Sequence, residues 1–246
     1  AAQVESVFGT MVAQSPAGDW AGNLAIVSYP DGLGLIEDGE AATDRFAKID
    51  AVVGELFHLA VRQLIAARPD LLWIHGGVMV CGDRAVLLSA VSGQGKSTLV
   101  AHLAARGWTY FSDEIAAIDA ATRTVLSFPV TPYMRAAVPT QLSDAEAREL
   151  DKVPVQIIHC ASSATSAPLA GIYFLSYQQR GGDVDMTSCS AGAAVVEMLR
   201  NSLNPRESRD EEIAALCRLM AQVPACHLRY THAEEAAQRI VPAHAA

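Results

Sequence analysis

Ser92-Gly93-Gln94-Gly95-Lys96-Ser97-Thr98 is preceded by the apolar run Ala85-Val86-Leu87-Leu88 and followed by a helical pattern from Leu99 to Arg106 that Gly107 closes. The order is strand, glycine-rich loop, helix. Glycines let successive backbone N–H groups turn into one concavity, and the first turn of the helix adds free N–H groups and the positive end of its dipole. A loop of this kind cradles phosphate. Lys96 is placed to reach the outer phosphates as a point charge and the Ser97 hydroxyl to bind Mg²⁺, with Ser92, Gly93, Gln94, Gly95 and Thr98 completing the cradle. The pattern G-x-x-x-x-G-K-[ST] is met at Gly95, Lys96 and Ser97, while its first glycine position is Ala90. Lys96 is one of three lysines, with Lys48 and Lys152, in a chain that otherwise uses arginine.

Upstream, the run Leu71 to Cys81 meets Gly82-Asp83 and turns into Arg84 to Ala90, which predicts a β-hairpin whose second strand feeds the loop. A hairpin reverses direction, so His75, at the far end of the first strand, comes level with the phosphate loop. Downstream, Trp108 to Phe111 is a strand by composition and ends in Ser112-Asp113-Glu114 before Ile115 to Ile118. A carboxylate at a strand's end, one helix after a phosphate loop, is where an acid that binds Mg²⁺ or orients a nucleophile is expected. Successive residues of an extended strand face opposite ways, so Asp113 and Glu114 both serve the site only if the strand stops there.

Composition sets the outer limits. A chain of 246 residues buries a sizeable core. The expectation is one α/β domain over 1–246, with a small sheet and a helix in 1–70 and the nucleotide-binding core in 71–246. A formal charge of −9 argues against a nucleic-acid surface as the main business. The 5 cysteines show no C-x-x-C spacing, which predicts buried, reduced thiols in a cytoplasmic protein. No basic start followed by an apolar core suggests a signal peptide. The uncharged stretch from Cys160 to Gln179 is interrupted throughout by polar residues and proline, so no membrane span is expected.

The block Ile74-His75-Gly76, the hairpin, Ser92 to Ser97, the helix ending at Arg106-Gly107, and Ser112-Asp113-Glu114 resembles the catalytic domain of the HPr kinase/phosphorylase family. Order and spacing agree from about Leu71 to Asp119. The resemblance implies a mixed α/β sheet of the PEP carboxykinase-related type, with the P-loop after a β-hairpin and helices packed around it. It also implies ATP and Mg²⁺ as cofactors and a serine hydroxyl of a protein as acceptor. By position Asp113 matches the acid that accepts the serine proton, Glu114 its neighbouring acid and a further metal ligand, and His75 a histidine near the transferred phosphate. The Glu-Ile-Arg-Gly signature of the bacterial sensor kinases is missing, which removes support for HPr itself as substrate and for that family's hexamer. The chain is more similar to shorter HPr-kinase-like proteins, some of which phosphorylate a serine of a ribosomally made precursor in lasso-peptide pathways. A homo-oligomer is left open.

In the remainder, Val4 to Val12, Asn23 to Tyr29 and Leu33 to Ile36 are expected strands, and apolar recurrence predicts a helix from Arg45 to Arg68 that stops before Pro69. Thr124 to Arg135 is expected as a surface strand broken by prolines, with Arg135 a candidate phosphate or substrate contact. Val155 to Cys160, Gly171 to Tyr177 and Ala225 to Tyr230 are further strands, with Ala161 to Ala167 as a flexible connection. Helices are expected after Ser143, from Ala191 to Leu203, after Ser208 and after Thr231. Three functions stay open at this point: a serine kinase acting on a peptide or small protein, a small-molecule hydroxyl kinase, and a nucleotide-binding regulatory module.

Overall fold

The computed structural model describes residues 24–41, 45–128, 130, 133–135, 152–154, 165–179, 182–205 and 209–241. The chain divides into two compact units, Ala1–Asp70 and Leu71–Ala246. In the first, strands β1 (Leu24–Tyr29), β2 (Gly32–Glu37) and β3 (Glu40–Ala41) form an antiparallel sheet in that order. Helix α1 (Ile49–Ala67) turns its apolar stripe inward. Leu35, Val52 and Leu59 make the core, with Leu24, Ile26, Phe46 and Leu56 packed against it. Arg45 lies 3.4 Å above the Tyr29 ring centroid. The two expected strands and the helix are present; Val4 to Val12 and Asn23 lie outside the described residues.

The second unit carries strands β4 (Leu72–His75), β5 (Gly77–Cys81), β6 (Arg84–Ser89), β7 (Thr109–Ser112), β8 (Ile115–Asp119), β9 (Thr124–Leu126), β10 (Tyr133–Arg135), β11 (Lys152–Pro154), β12 (Ser166–Tyr177), β13 (Asp185–Cys189) and β14 (Ala225–Tyr230). Its helices are α2 (Lys96–Ala105), α3 (Ala191–Arg200), α4 (Arg209–Met220) and α5 (Ala233–Arg239). Nine strands form one mixed sheet in the order β4-β8-β9-β12-β6-β5-β7, with β14 on β12 and β13 on β14, while β10 and β11 pair separately. The fold is therefore α/β with a mixed sheet, and the glycine-rich loop follows the second strand of a hairpin.

Both faces of the sheet are covered, which is why its central strands are continuously apolar. Along β6, Ala85 and Leu87 pack with residues of α3 and α4, whereas Val86 and Leu88 pack with α2 and α5. Strand β12 ties the two halves together: Ser166 to Pro168 pair antiparallel with β9, and the strand then runs parallel to β6.

The expected single strand from Leu71 to Cys81 is broken at Gly76. A Cβ there would stand 2.8 Å from Leu87 Cδ1 and 3.0 Å from the Leu88 carbonyl oxygen, so the backbone passes at a distance that only glycine allows. On either side the chain takes different partners, β4 lying on β8 and β5 on β6 and β7. The cysteines also depart from expectation. Cys81 and Cys217 are exposed and Cys189 and Cys226 half-buried, because they sit at a hairpin end, a helix outer face and outer strands; Cys160 lies outside the described residues. Strand β13 has no counterpart in the expectations. The strand Val155 to Cys160, the helix after Ser143, Ser208 and most of Ala161 to Ala167 lie outside the described residues. Among the described residues no helix is long and apolar enough to cross a membrane.

Candidate active site

Strand direction gathers the site. Strands β6, β12 and β14 run parallel, and β5 is antiparallel to both β6 and β7, so β6, β7, β12 and β14 all end at one edge of the sheet. Ligands of α/β sheets bind at such carboxyl ends. At this edge β6 delivers Ser92 to Lys96, and β7 delivers Asp113.

The loop has the backbone its sequence requires. Gly93 and Gly95 adopt φ +88° and +76°, a region that favours glycine, and Gly95 is the N-cap of α2. Ser92 and Gly93 are exposed, whereas Lys96 is buried. Lys96 Nζ lies 3.0 Å from Asp113 Oδ1 and also donates to the Asp113 backbone carbonyl. Ser97 and Thr98 open the helix, half-buried and exposed respectively.

Asp113 is 1% exposed. Burial pushes its carboxyl above the usual carboxylate range, and the Lys96 charge first and the Ser97 hydroxyl second oppose that rise. Its Oδ2 has no hydrogen-bond partner among the described residues. A buried carboxylate oxygen without a partner is costly and marks a site left open for a ligand or a proton. The strand does stop here: Ser112 Oγ accepts from the N–H groups of Glu114 at 3.3 Å and Ile115 at 3.0 Å, and this turn sends the two carboxylates different ways.

Glu114 is more open and lies 3.5 Å from His75 Nδ1. The Gly76 N–H donates to the Glu114 carbonyl oxygen at 3.2 Å, which holds the end of β4 against the turn after β7. Burial first and the Lys96 charge second push the His75 pKa below the ordinary imidazole value; Glu114 and Asp113 work in the opposite direction. His75 is therefore a neutral imidazole at neutral pH. Gly77 completes the floor, its α-carbon facing Asp113 Oδ1, which would lie 3.4 Å from an added Cβ.

His75, Lys96, Ser97, Asp113 and Glu114, separated in the sequence, thus form one connected cluster at the glycine-rich loop. Arg135 is described in its backbone alone, as the last residue of β10; its side chain lies outside the described residues. Sequence reasoning missed Tyr230, whose hydroxyl donates to the Gln94 carbonyl oxygen at 2.8 Å, and Ser112, whose turn-capping hydroxyl was visible in the string Ser-Asp-Glu. No sequence signal marked Tyr230.

The donors present suit Mg²⁺. The Ser97 hydroxyl and the open Asp113 oxygen are hard oxygen ligands, and Mg²⁺ asks a protein for only one or two of these, taking the rest from phosphates and water. Among the described residues no group of three His, Cys, Asp or Glu is arranged for a metal ion.

No protein-family model and no curated protein matches the chain. Among solved structures it is similar to the Hpr(Ser) kinase/phosphatase from Coxiella burnetii, at 10% sequence identity over 65% of this chain and 85% of that one, with a TM-score of 0.34. A likeness of that degree carries neither an activity nor a substrate across.

Proposed function

We propose that this chain is an ATP- and Mg²⁺-dependent kinase that transfers the γ-phosphoryl group to a serine hydroxyl of a peptide or small protein. The observation that carries the reading is the convergence of Lys96, Ser97 and an open, buried Asp113 oxygen at the carboxyl edge of β6 and β7. Phosphoryl transfer needs alignment, neutralised phosphate oxygens and a late acceptor for the hydroxyl proton. The loop amides and Lys96 supply the first two, and Mg²⁺, when bound beside Ser97 and Asp113, adds to the neutralisation. The serine oxygen forms its bond to the γ-phosphorus as the bond to the β–γ bridging oxygen breaks; ADP departs and the serine proton passes to Asp113. A carboxyl raised by burial is the stronger base for that proton. His75, neutral and 3.5 Å from Glu114, stands beside the transferred group as a hydrogen-bonding partner. A ribosomally made precursor peptide of the lasso type is the first acceptor to try, on the resemblance of the sequence.

One observation favours a second reading. Asp113 is 1% exposed and engaged by Lys96, so a bulky acceptor reaches it only after Lys96 turns to a phosphate. A module that binds nucleotide and transfers phosphate only to water needs no such access.

The deciding experiment is mass spectrometry after incubation with ATP, Mg²⁺ and peptides encoded beside the gene, with Lys96→Ala as blank. One phosphate gained on a serine, absent with the variant, supports the kinase. ATP consumption without a phosphorylated acceptor moves the reading to the second module or to a small-molecule kinase, and no nucleotide binding at all ends both.

A further inference from the structure

Tyr230 lies 136 residues beyond Gln94, on a strand two places away from β6 in the sheet, yet its hydroxyl reaches into the glycine-rich loop. The side chain is 1% exposed, and a buried hydroxyl must find an acceptor. Its choice of carbonyl matters. The Gln94 C=O and the Gly95 N–H belong to one planar trans peptide unit, in which they point in opposite directions. Drawing the oxygen towards Tyr230 therefore turns the N–H away from it.

This peptide is unusually free to rotate. Gly95 has no Cβ and sits in the left-handed region at φ +76°, and a peptide unit followed by glycine exchanges its two orientations at little steric cost. Flipped, it would present a carbonyl oxygen where phosphate oxygens belong, and the two would repel. The same contact explains the glycine: a Cβ on residue 95 would stand 2.7 Å from the Tyr230 hydroxyl. A second tether comes from the same rung of the sheet, where Tyr177 faces Tyr230. The Tyr177 N–H donates to Gln94 Oε1 at 2.8 Å, and its ring meets Tyr230 edge-on with 5.9 Å between centroids.

We propose that Tyr230 is a positioning residue for phosphate binding, its hydroxyl locking the Gln94–Gly95 peptide so that the Gly95 N–H faces the anion. The inference rests on the phosphate-loop reading above. Tyr230 touches no substrate and transfers no proton; burial pushes its phenol pKa up, so the hydroxyl stays a donor across the working range.

The test is calorimetric titration of the full chain with inorganic tripolyphosphate and with ATP, using wild type, Tyr230→Phe and Lys96→Ala, beside thermal melting of each without ligand. Tyr230→Phe should melt close to wild type and bind both ligands roughly tenfold more weakly, the loss of one hydrogen bond's ordering effect. A folded Tyr230→Phe that binds both as tightly as wild type overturns the lock. Should the variant not fold, amide resonances of the wild-type protein decide: tripolyphosphate should move Gly95 and leave Gly82, at the hairpin turn, in place. A Gly95 amide that does not respond overturns the proposal as well. Failure of the phosphate loop itself looks different, since wild type would then bind neither ligand, or Lys96→Ala would bind both as wild type does.

Discussion

Lys96 and Asp113 neutralise each other inside the protein, at 3.0 Å with side-chain exposures of 10% and 1%. Removing one member of a buried pair typically costs about 3–5 kcal/mol, because the other charge is left without compensation. Asp113 has an escape that depends on pH. Its folded pKa is already raised, so its contribution to stability is present below the unfolded value and is lost as pH rises through the folded one. Lys96→Ala removes an opposing influence and lifts that pKa further. The stability deficit of Lys96→Ala, measured by urea unfolding, should therefore be smaller at about pH 5 than at pH 7.5; an equal deficit would mean that Asp113 stays ionised in the variant. Asp113→Asn should keep nucleotide binding while lowering transfer by roughly 10²-fold or more in single-turnover assays, the usual size of a lost general base. If binding disappears instead, Asp113 serves chiefly the metal ion.

His75 gives the opposite sign. Its folded pKa lies below the ordinary value of 6.5, so its contribution to stability is present above pH 6.5 and is lost as pH falls through the folded pKa. In the difference between wild type and His75→Gln, unfolding free energy should fall for wild type in that acid window and stay flat above it. A difference that is flat throughout would show the imidazole to be unperturbed.

Elements are held in place by a small number of polar links. Asn204 substitutes for a missing strand beside β4: its Oδ1 accepts from the Trp73 N–H at 2.8 Å and its Nδ2 donates to the Leu71 carbonyl oxygen at 2.9 Å. Asn204→Ala should cost about 2 kcal/mol through two lost bonds, read as a lower urea midpoint, with triphosphate affinity unchanged. A weaker affinity at equal stability would place β4 in the binding machinery. At this scale the sequence was informative wherever a local rule operates. The glycine-rich loop and the Gly82-Asp83 hairpin follow from turn chemistry, and the helix expected from Ala191 is present, with the Ser190 hydroxyl accepting from the Ala193 N–H at 3.3 Å. The break at Gly76 did not follow from a local rule, since it arises from Leu87 and Leu88 passing close by, a tertiary fact. Strand β13 was missed for a related reason. It lies exposed along β14, and its residues, Asp185 to Cys189, carry little of the apolar alternation that marks a half-buried strand. His75, Lys96, Asp113 and Glu114 were legible because a hairpin and one strand–helix–strand step fix their meeting point. Tyr230 was not, because nothing local relates it to a loop so far away.

For the molecule as a whole, charge opposes the ligand. A body of net −9 would repel the proposed nucleoside triphosphate at long range, even where the loop attracts it at contact. Salt screens that repulsion over a Debye length of about 10 Å at 0.1 M. Association of ATP, followed by stopped flow at saturating Mg²⁺, should thus speed up or hold steady between about 10 and 150 mM salt. A steep fall would reveal a positive field at the mouth of the site that outweighs the total charge.

The separation of 136 residues between Gln94 and Tyr230 has a consequence in time. Pairings as distant in sequence as β6 with β12 and β12 with β14 are expected late in folding, since closing long loops precedes any gain from contact. The complete Gly-Gln-Gly-Lys-Ser string leaves the ribosome well before β14 exists. On the phosphate-loop reading, a chain arrested between these points would carry the signature of a phosphate site without the competence of one, and tripolyphosphate should slow unfolding without hastening refolding, as stopped-flow fluorescence in urea would read.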